Sequence, residues 1–545
     1  MDHLPDWLTP LPDAELMRAI DRWAIEERGV DSLELMERAG AGVARTVERL
    51  APDGPATVVC GKGNNGGDGL VVARLLREAG RSVTVVCAAP LDEFAGDAHM
   101  NLERLAGEAP LELTEDRERS EQALAEATVI VDALLGTGFQ GEPRGAVEEA
   151  IEAVNAARAP VVSVDVPSGV DVSTGVASGA AVRAEVTVTF HAGKPGLWIH
   201  PGKAHAGEVE VFDIGIPHRS EIAGISDRPA PGGISGGDGT DHGDGTGGHA
   251  DGAAAIGLIE PSVLTTLPRR GAASTKFTSG HVLVVGGSRG LTGAPRMAAQ
   301  AAMRTGAGYV TAWVPASLQA ILATAGPPEL MTRGLPDADG GLTAAGVGDV
   351  LGATERGGAL ALGPGLGRGD GAVAFARELA REAKIALVLD ADGLNAHAGR
   401  LAELAVRVAP TVLTPHAGEL GRLLEVGSEE VERERLRHVC TVAEQAGAVV
   451  VLKGDDTLIA DPRGRVAVSP GGAPALATAG TGDVLTGVIA ALLAAGLEPF
   501  TAAAAGVRLH AEAGRAAARR QGANEGVVAS DVIAALPAVR GGAAR

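Results

Sequence analysis

The sequence predicts two α/β domains, each built on a mostly parallel sheet. Short, nearly continuous Val/Ile runs alternate with stretches of helical periodicity, the pattern of strands buried on both faces. The pattern occurs twice, before and after a Gly/Asp/His-rich stretch at 226–255. The chain has 545 residues, more than one hydrophobic core usually serves.

In the first half an opening helix is expected over 32–50. Leu33, Met36, Ala39, Val43, Val47 and Leu50 share one face there, with Asp31 or Ser32 as cap. Strands are expected at Ala56–Cys60, 82–87, 128–131 and 160–164, with a helix over 70–79. The stretch 226–255 has almost no large apolar side chain. It cannot offset its ordering entropy by burial and is expected to be a flexible linker between domains at 1–225 and 256–545. Its His242 and His249 are too sparse to suggest a metal site. After it, strands are expected at His281–Val285, 360–362, 385–389, Thr411–Leu413 and 448–452, and a buried helix over 484–497. The halves share no sequence repeat, so two different folds are expected.

Composition narrows the function. Apolar residues make up 45% and aromatics 2%, so the cores must be packed from Ala, Val, Leu and Ile. Lys and Arg total 47 against 69 Asp and Glu, a net charge of −22, which repels a phosphate backbone and disfavours nucleic-acid binding. A small nucleotide remains possible, because local N–H groups hold its phosphates. Cys60, Cys87 and Cys440 form no metal-ligand spacing and fit a reducing cytoplasm. The opening MDHLPDWLTP is not a signal peptide, and 484–497 is too short to span a bilayer.

Three loops of the first half carry chemistry. GNNGGDG at 63–69 follows a strand and is read as a strand-to-helix loop, where N–H groups and the helix dipole attract anions. Its two Asn and one Asp exceed what a tight turn requires. Asp132, followed by the Gly136-Thr137-Gly138 loop, and Asp165, followed by Ser168, end two further strands. In an open parallel sheet such strand ends lie on one edge, where ligands bind.

These motifs, GNNGGDG, VDALLGTGFQGEPRG and SVDVPSGVD, resemble the NAD(P)HX epimerases, the N-terminal domain of the NAD(P)H-hydrate repair proteins. The resemblance covers roughly residues 10–220 and implies a Rossmann-like three-layer fold. It implies that Asn64, Asn65, Gly66, Gly67 and Asp68 contact the hydrated dinucleotide. Gly136, Thr137, Gly138, Phe139, Gln140, Gly141 and Glu142 would do the same. It makes Asp165 the contact to the altered ring and the acid/base group, and Asn65, Asp132 and Ser168 the oxygen ligands of a K⁺. Oxygen-only ligands suit a hard cation.

In the second half, Gly480-Thr481-Gly482-Asp483 opens the apolar helix. Small residues at a helix start leave N–H groups for a phosphate, and Asp483 could serve as base beside a nucleophilic hydroxyl. No GxxxxGK[ST] is present, so this is not a P-loop. GGSRGLTGAP, LGPGLG, LDADGLN, TPHAGE, LKGDDT and AGTGDVLTG occur in this order. They resemble the ribokinase-like superfamily and, within it, the ADP-dependent NAD(P)H-hydrate dehydratases, over roughly 258–540.

That resemblance implies a ribokinase-like α/β fold in which Lys453, Gly454, Asp455, Asp456, Thr457 and Gly482 hold ADP with Mg²⁺. Ala294, Gly365, Gly367, His416 and Asp483 would face the hydrate, with Asp483 catalytic. Leu291 stands where an aromatic is expected. A bifunctional repair enzyme follows, with NADHX or NADPHX and ADP as ligands, no membrane partner, and a homo-oligomeric state. The alternative is a ribokinase-like small-molecule kinase with an N-terminal nucleotide-binding or scaffold domain. The N-terminal fold also occurs in mRNA-decapping scaffold proteins, but the polar set Asn65, Asp132, Asp165 and Ser168 is more than a scaffold needs.

Overall fold

The computed structural model describes residues 4–216 and 255–542. They fall into two compact units, one holding 10–216 and the other 4–9 together with 255–542. The expected linker lies outside the described residues, His242 and His249 included, except for Ala255, which opens a strand. Among the described residues no helix is long and apolar enough to cross a membrane.

The first unit is a seven-stranded sheet in the order Leu111–Glu112, Val83–Cys87, Ala56–Cys60, Val129–Ala133, Val161–Val164, Val186–Phe190, Glu208–Phe212. Every pairing is parallel. The chain starts in the middle, runs outward to one edge, and returns to the middle to build the other. Loops leaving Ala56–Cys60 and Val129–Ala133 therefore turn opposite ways and leave a crevice, the usual ligand position in such sheets. Helix Ser32–Leu50 covers one face, burying Met36, Ala39, Val43 and Val47, and Asp31 caps it by accepting from the Leu33 N–H. Helix Asn64–Glu78 corrects the sequence reading: it begins inside GNNGGDG rather than after it. Glycine's poor intrinsic helix propensity is overridden because the backbone packs too closely for side chains. A Cβ on Gly66 would overlap the Gly61 carbonyl oxygen.

The second unit has an eleven-stranded sheet. Its order is Leu8–Pro10, Ala255–Ile259, Arg465–Val468, Leu458–Ala460, Val449–Leu452, Thr411–Leu413, Ala386–Leu389, Ala359–Leu362, His281–Val285, Tyr309–Pro315, Met331–Leu335. The run from Val449–Leu452 to Met331–Leu335 is parallel, and Leu458–Ala460 is antiparallel to both its neighbours. Helix Thr481–Ala494 is buried nearly all round, as an apolar sequence requires.

The edge strand Leu8–Pro10 comes from the far N-terminus. The Trp7 carbonyl accepts from the Glu260 N–H at 3.0 Å, and Thr9 Oγ1 donates to Glu260 at 2.6 Å. Leu8 is fully buried, and the Trp7 ring meets Phe500 at 5.8 Å between centroids. Residues ahead of the first unit in sequence thus stabilise the second. Trp7→Ala should cost about 3–5 kcal/mol, the usual range for deleting a buried large aromatic. The loss should fall on the second unit. Hydrogen exchange should accelerate in Ala255–Ile259 and Pro499–Gln521 and stay unchanged in Val129–Ala133. Acceleration confined to the first unit would contradict the assignment.

Candidate active sites

In the first unit a cavity of about 810 Å³ opens beyond the strand ends. Its wall includes Asn64, Asn65, Asp68, Gly136, Thr137, Gly138, Phe139 and Asp165, as the sequence leads one to expect. Gly66 and Gly67 are buried against Gly61 and Met36 and do not reach the wall. Gln140, Gly141 and Glu142 are not on it either, and Glu142 pairs with Arg144 at 3.6 Å instead. The first turn of helix Asn64–Glu78 presents its N–H groups and dipole to this space, an anion cradle.

Asn65, Asp132 and Ser168 meet around the backbone of Leu134 and Leu135. Asp132 is fully buried and accepts from Ser168 Oγ at 2.5 Å, the Ser168 N–H at 2.9 Å, Ser163 Oγ at 2.8 Å and the Leu134 N–H at 3.3 Å. Asn65 Nδ2 donates to the Leu135 carbonyl at 2.9 Å, and Ser168 Oγ accepts from the Leu135 N–H at 2.9 Å. Burial raises the Asp132 carboxyl and these hydrogen bonds pull it back only in part. A buried carboxylate among amide and hydroxyl oxygens suits a hard cation.

Asp165 sits just past its strand with φ of 65°, a left-handed backbone costly for a side chain with a Cβ. Its N–H donates to the Val188 carbonyl at 2.8 Å. Oδ1 accepts from Lys194 Nζ at 2.6 Å and Thr189 Oγ1 at 3.1 Å. Lys194 is 1% exposed and also donates to Thr189 Oγ1 and the Phe190 carbonyl. The sequence reading did not single out Lys194. Its signal was a lone lysine after the Val-Thr-Val-Thr-Phe run, a strand that reading also passed over. Asp21, on helix Ala14–Arg22, was missed as well and lines the same cavity. Burial pushes the Asp21 carboxyl up to about 6, with Lys194 opposing and Asp165 assisting. Burial also raises Asp68 well above the carboxylate range, aided by Asp165 and Asp21 and opposed by Lys194.

In the second unit the six motifs end strands or open helices on one edge. Gly480, at φ 88°, turns the chain into helix Thr481–Ala494, whose first turn carries Gly482 and Asp483. Lys453 Nζ donates to Asp390 Oδ1 at 3.1 Å and lies 3.6 Å from Glu419 Oε2. Asp390 Oδ2 accepts from Thr486 Oγ1 at 2.6 Å, on the helix that carries Asp483. Desolvation pushes Asp483 up to about 7, with Asp390 and Glu419 adding and Lys453 opposing. His416 caps helix Ala417–Leu424: its Nδ1 accepts from the Gly418 and Glu419 N–H groups, leaving Nε2 to carry the proton. Ser288 Oγ donates to the Gly365 carbonyl at 2.9 Å, and the Gly367 N–H to Asp392 at 2.9 Å, which stitches Gly365 and Gly367 to their neighbours. A Cβ on Gly365 would meet Leu291 and Ala294. Gly482 lies beside the Lys453 ammonium.

Within Lys453–Thr457 the structure divides the residues. Asp455 accepts from the Gly472 N–H at 3.0 Å, and Thr457 Oγ1 donates to the Gly454 carbonyl at 2.7 Å. Asp456 is turned inward, accepting from the fully buried Arg435 at 3.0 Å. Arg435, Asp390, Glu419 and Thr486 escaped the sequence reading as site residues because each acts through a partner far away in the chain.

A family model described as YjeF-related protein N-terminus matches residues 32–196, and one described as NAD(P)H-hydrate dehydratase matches 282–538. The bifunctional NAD(P)H-hydrate repair enzyme Nnr of Moorella thermoacetica is 40% identical, covering 97% of this chain and 96% of its own. The enzyme of the same name from Salinibacter ruber is 42% identical, covering 97% and 96%. That of Coxiella burnetii is 37% identical over 96% and 98%. Among solved structures, an ADP/ATP-dependent NAD(P)H-hydrate dehydratase from Bacillus subtilis, crystallised with ATP and Mg²⁺, is 30% identical. It covers 52% of this chain and 96% of its own, with a TM-score of 0.45.

Removing one member of a buried ion pair leaves the other uncompensated. Lys194→Met should therefore destabilise the first unit by about 3–5 kcal/mol, read as a lower urea midpoint by a probe in that unit. An unchanged midpoint would mean that the ammonium contributes nothing to holding Asp165.

Proposed function

The chain belongs to the bifunctional NAD(P)H-hydrate repair enzymes, and from that premise we propose how its two sites divide the work. The protein interconverts the R and S epimers of hydrated NADH and NADPH and dehydrates the S epimer to the usable dinucleotide. The first unit holds the hydrated dinucleotide with its phosphates at the start of helix Asn64–Glu78 and its altered ring at Asp165. The observation that carries this placement is the strained, lysine-clamped Asp165 carboxylate facing the cavity. Asp165 handles the proton when the hydroxyl leaves or returns. Asn65, Asp132 and Ser168 would hold K⁺, which would supply positive charge beside the buried carboxylate and stiffen the loop.

In the second unit the hydroxyl is converted into a leaving group. Asp483 takes its proton as the oxygen attacks the terminal phosphoryl group of ADP, and AMP departs. The ring nitrogen then expels phosphate, the adjacent carbon loses a proton, and the dihydronicotinamide is restored. The glycine-rich helix start receives the phosphoryl group in flight. Lys453 is held in place by Asp390 and Glu419 beside Gly482. Three carboxylates around one ammonium leave this cleft short of positive charge, so the residues fit a Mg²⁺ arriving with the nucleotide; bound, it would neutralise phosphate charge. Free cysteines throughout the described residues accord with a cytoplasmic setting.

Asp483 must be ionised to act as base, and its carboxyl is raised to about 7. The dehydration rate should therefore fall about tenfold per pH unit below pH 7 and level off above it. Asp483→Asn should abolish phosphate release and the pH dependence with it, while epimerisation continues. Loss of both activities would contradict separate sites. Incubating both epimers with ADP, ATP or no nucleotide should restore the reduced-nicotinamide absorbance only when nucleotide is present. Recovery without it would overturn the phosphorylation step.

A further inference from the structure

The reaction proposed for the first site works on both faces of a ring, and Asp165 faces the cavity from one place. When inversion runs through cleavage of the carbon–oxygen bond, the hydroxyl leaves from one face of the ring and water enters from the other. The leaving oxygen needs a proton, and the entering water must lose one. The departing water is on the wrong face to return inverted. Two proton-handling groups, one on each side, serve that route better than one.

The cavity holds more carboxylates than Asp165. Asp21 and Asp68 line it too, on helix Ala14–Arg22 and on the first turn of helix Asn64–Glu78. These two differ from Asp165 in their surroundings. Asp165 is paired with the Lys194 ammonium and fixed by Thr189. Burial pushes the carboxyls of both Asp21 and Asp68 up, with Asp165 adding to the rise and Lys194 opposing it. Asp68 belongs to the phosphate-cradling turn. Asp21 comes from outside every loop of the sheet edge, beside the buried Met17 and Ile20, and still reaches the space that Asp165 faces.

We propose that Asp21 is a second catalytic carboxylate of the epimerase site, working as the acid opposite Asp165. This rests on the placement of the altered ring at Asp165. In one direction Asp21 gives its proton to the hydroxyl oxygen. The carbon–oxygen bond breaks, water departs, and the ring nitrogen lone pair forms a carbon–nitrogen double bond. A second water adds to the opposite face, forming a new carbon–oxygen bond, and its proton passes to Asp165. For the other epimer the roles reverse. The raised affinity of Asp21 for its proton, set by desolvation and opposed by Lys194, fits a group that is protonated part of the time near neutrality. No oxidant, reductant or further reactant is needed.

The test uses the full-length enzyme without nucleotide, in water enriched in ¹⁸O, on the separated epimers. Wild type should place one ¹⁸O in each inverted product, above the rate without enzyme. Asp21→Asn should lower kcat for epimerisation by about a hundredfold or more while KM changes less than threefold, and Asp21→Glu should recover part of kcat. Dehydration of the S epimer with ADP should be untouched and reports an intact second unit. Asp165→Asn run in parallel separates the two levels of inference. If Asp165→Asn inactivates and Asp21→Asn does not, the acid role of Asp21 is wrong and the site stands. If neither matters, the site itself is misplaced. An effect of Asp21→Asn on KM alone, or inverted product without ¹⁸O, would also overturn the proposal.

Discussion

Parallel strands constrain this molecule more than any single contact. When neighbouring strands run the same way, every loop that leaves a carboxyl end emerges on one edge, and the chain must cross back behind a helix. Residues distant in sequence are thereby delivered to one place. Asn65, Asp165 and Lys194 follow three different strands of the first sheet and Asp132 lies near the end of a fourth, and Asp165 and Lys194 still end 2.6 Å apart. In the second sheet Asp390 and Lys453 follow strands separated by Thr411–Leu413, and they meet at 3.1 Å. Helix N-termini arrive at the same edge, so each site receives an anion cradle from the same topology that supplies its carboxylates.

Both sites also share an imbalance of charge. Each sinks one ammonium among three carboxylates: Lys194 with Asp21, Asp68 and Asp165, and Lys453 with Asp390, Glu419 and Asp483. Buried carboxylates in such numbers cannot all ionise cheaply, so some retain protons near neutral pH. In each cluster the ammonium is hydrogen-bonded to one carboxylate, Lys194 to Asp165 at 2.6 Å and Lys453 to Asp390 at 3.1 Å.

The sequence was legible where local chemistry and global fold agree. Asp31 caps the helix that the apolar spacing of Met36, Ala39, Val43 and Val47 announces, and Ala56–Cys60 and His281–Val285 are short, mostly apolar runs of the kind that buried strands carry. It was illegible where the environment overrides propensity. GNNGGDG reads as a loop and is helix, because Gly66 lets the backbone pack against Gly61. Val186–Phe190 alternates with threonine and looks half exposed. It is buried throughout, because Thr187 donates to the Ala206 carbonyl and Thr189 joins the Asp165 cluster. Leu8–Pro10 has only three residues, and its partner strand starts at Ala255, a pairing no local pattern encodes. Lys194 and Asp21 escaped for the same reason: each is an ordinary residue whose meaning comes from a neighbour more than twenty positions away.

Joining the two sites in one chain has a chemical logic that the geometry makes concrete. Hydroxide is a poor leaving group, and the two units overcome that in different ways. The first needs the bond broken only briefly, because water returns at once, so carboxylates that lend and recover protons suffice and nothing is consumed. The second must break the bond for good against a large excess of water, and only conversion of the hydroxyl to a phosphate ester makes departure effectively irreversible. A proton-sharing cluster and a phosphoryl cradle are the corresponding devices. In the assignment proposed above, the cavity with Asp165 carries the first and the glycine-rich start of helix Thr481–Ala494 the second. The irreversible site accepts one epimer, so the reversible site has to keep supplying it. The reversible site therefore has to act on both faces of the ring, a demand that the irreversible site never meets.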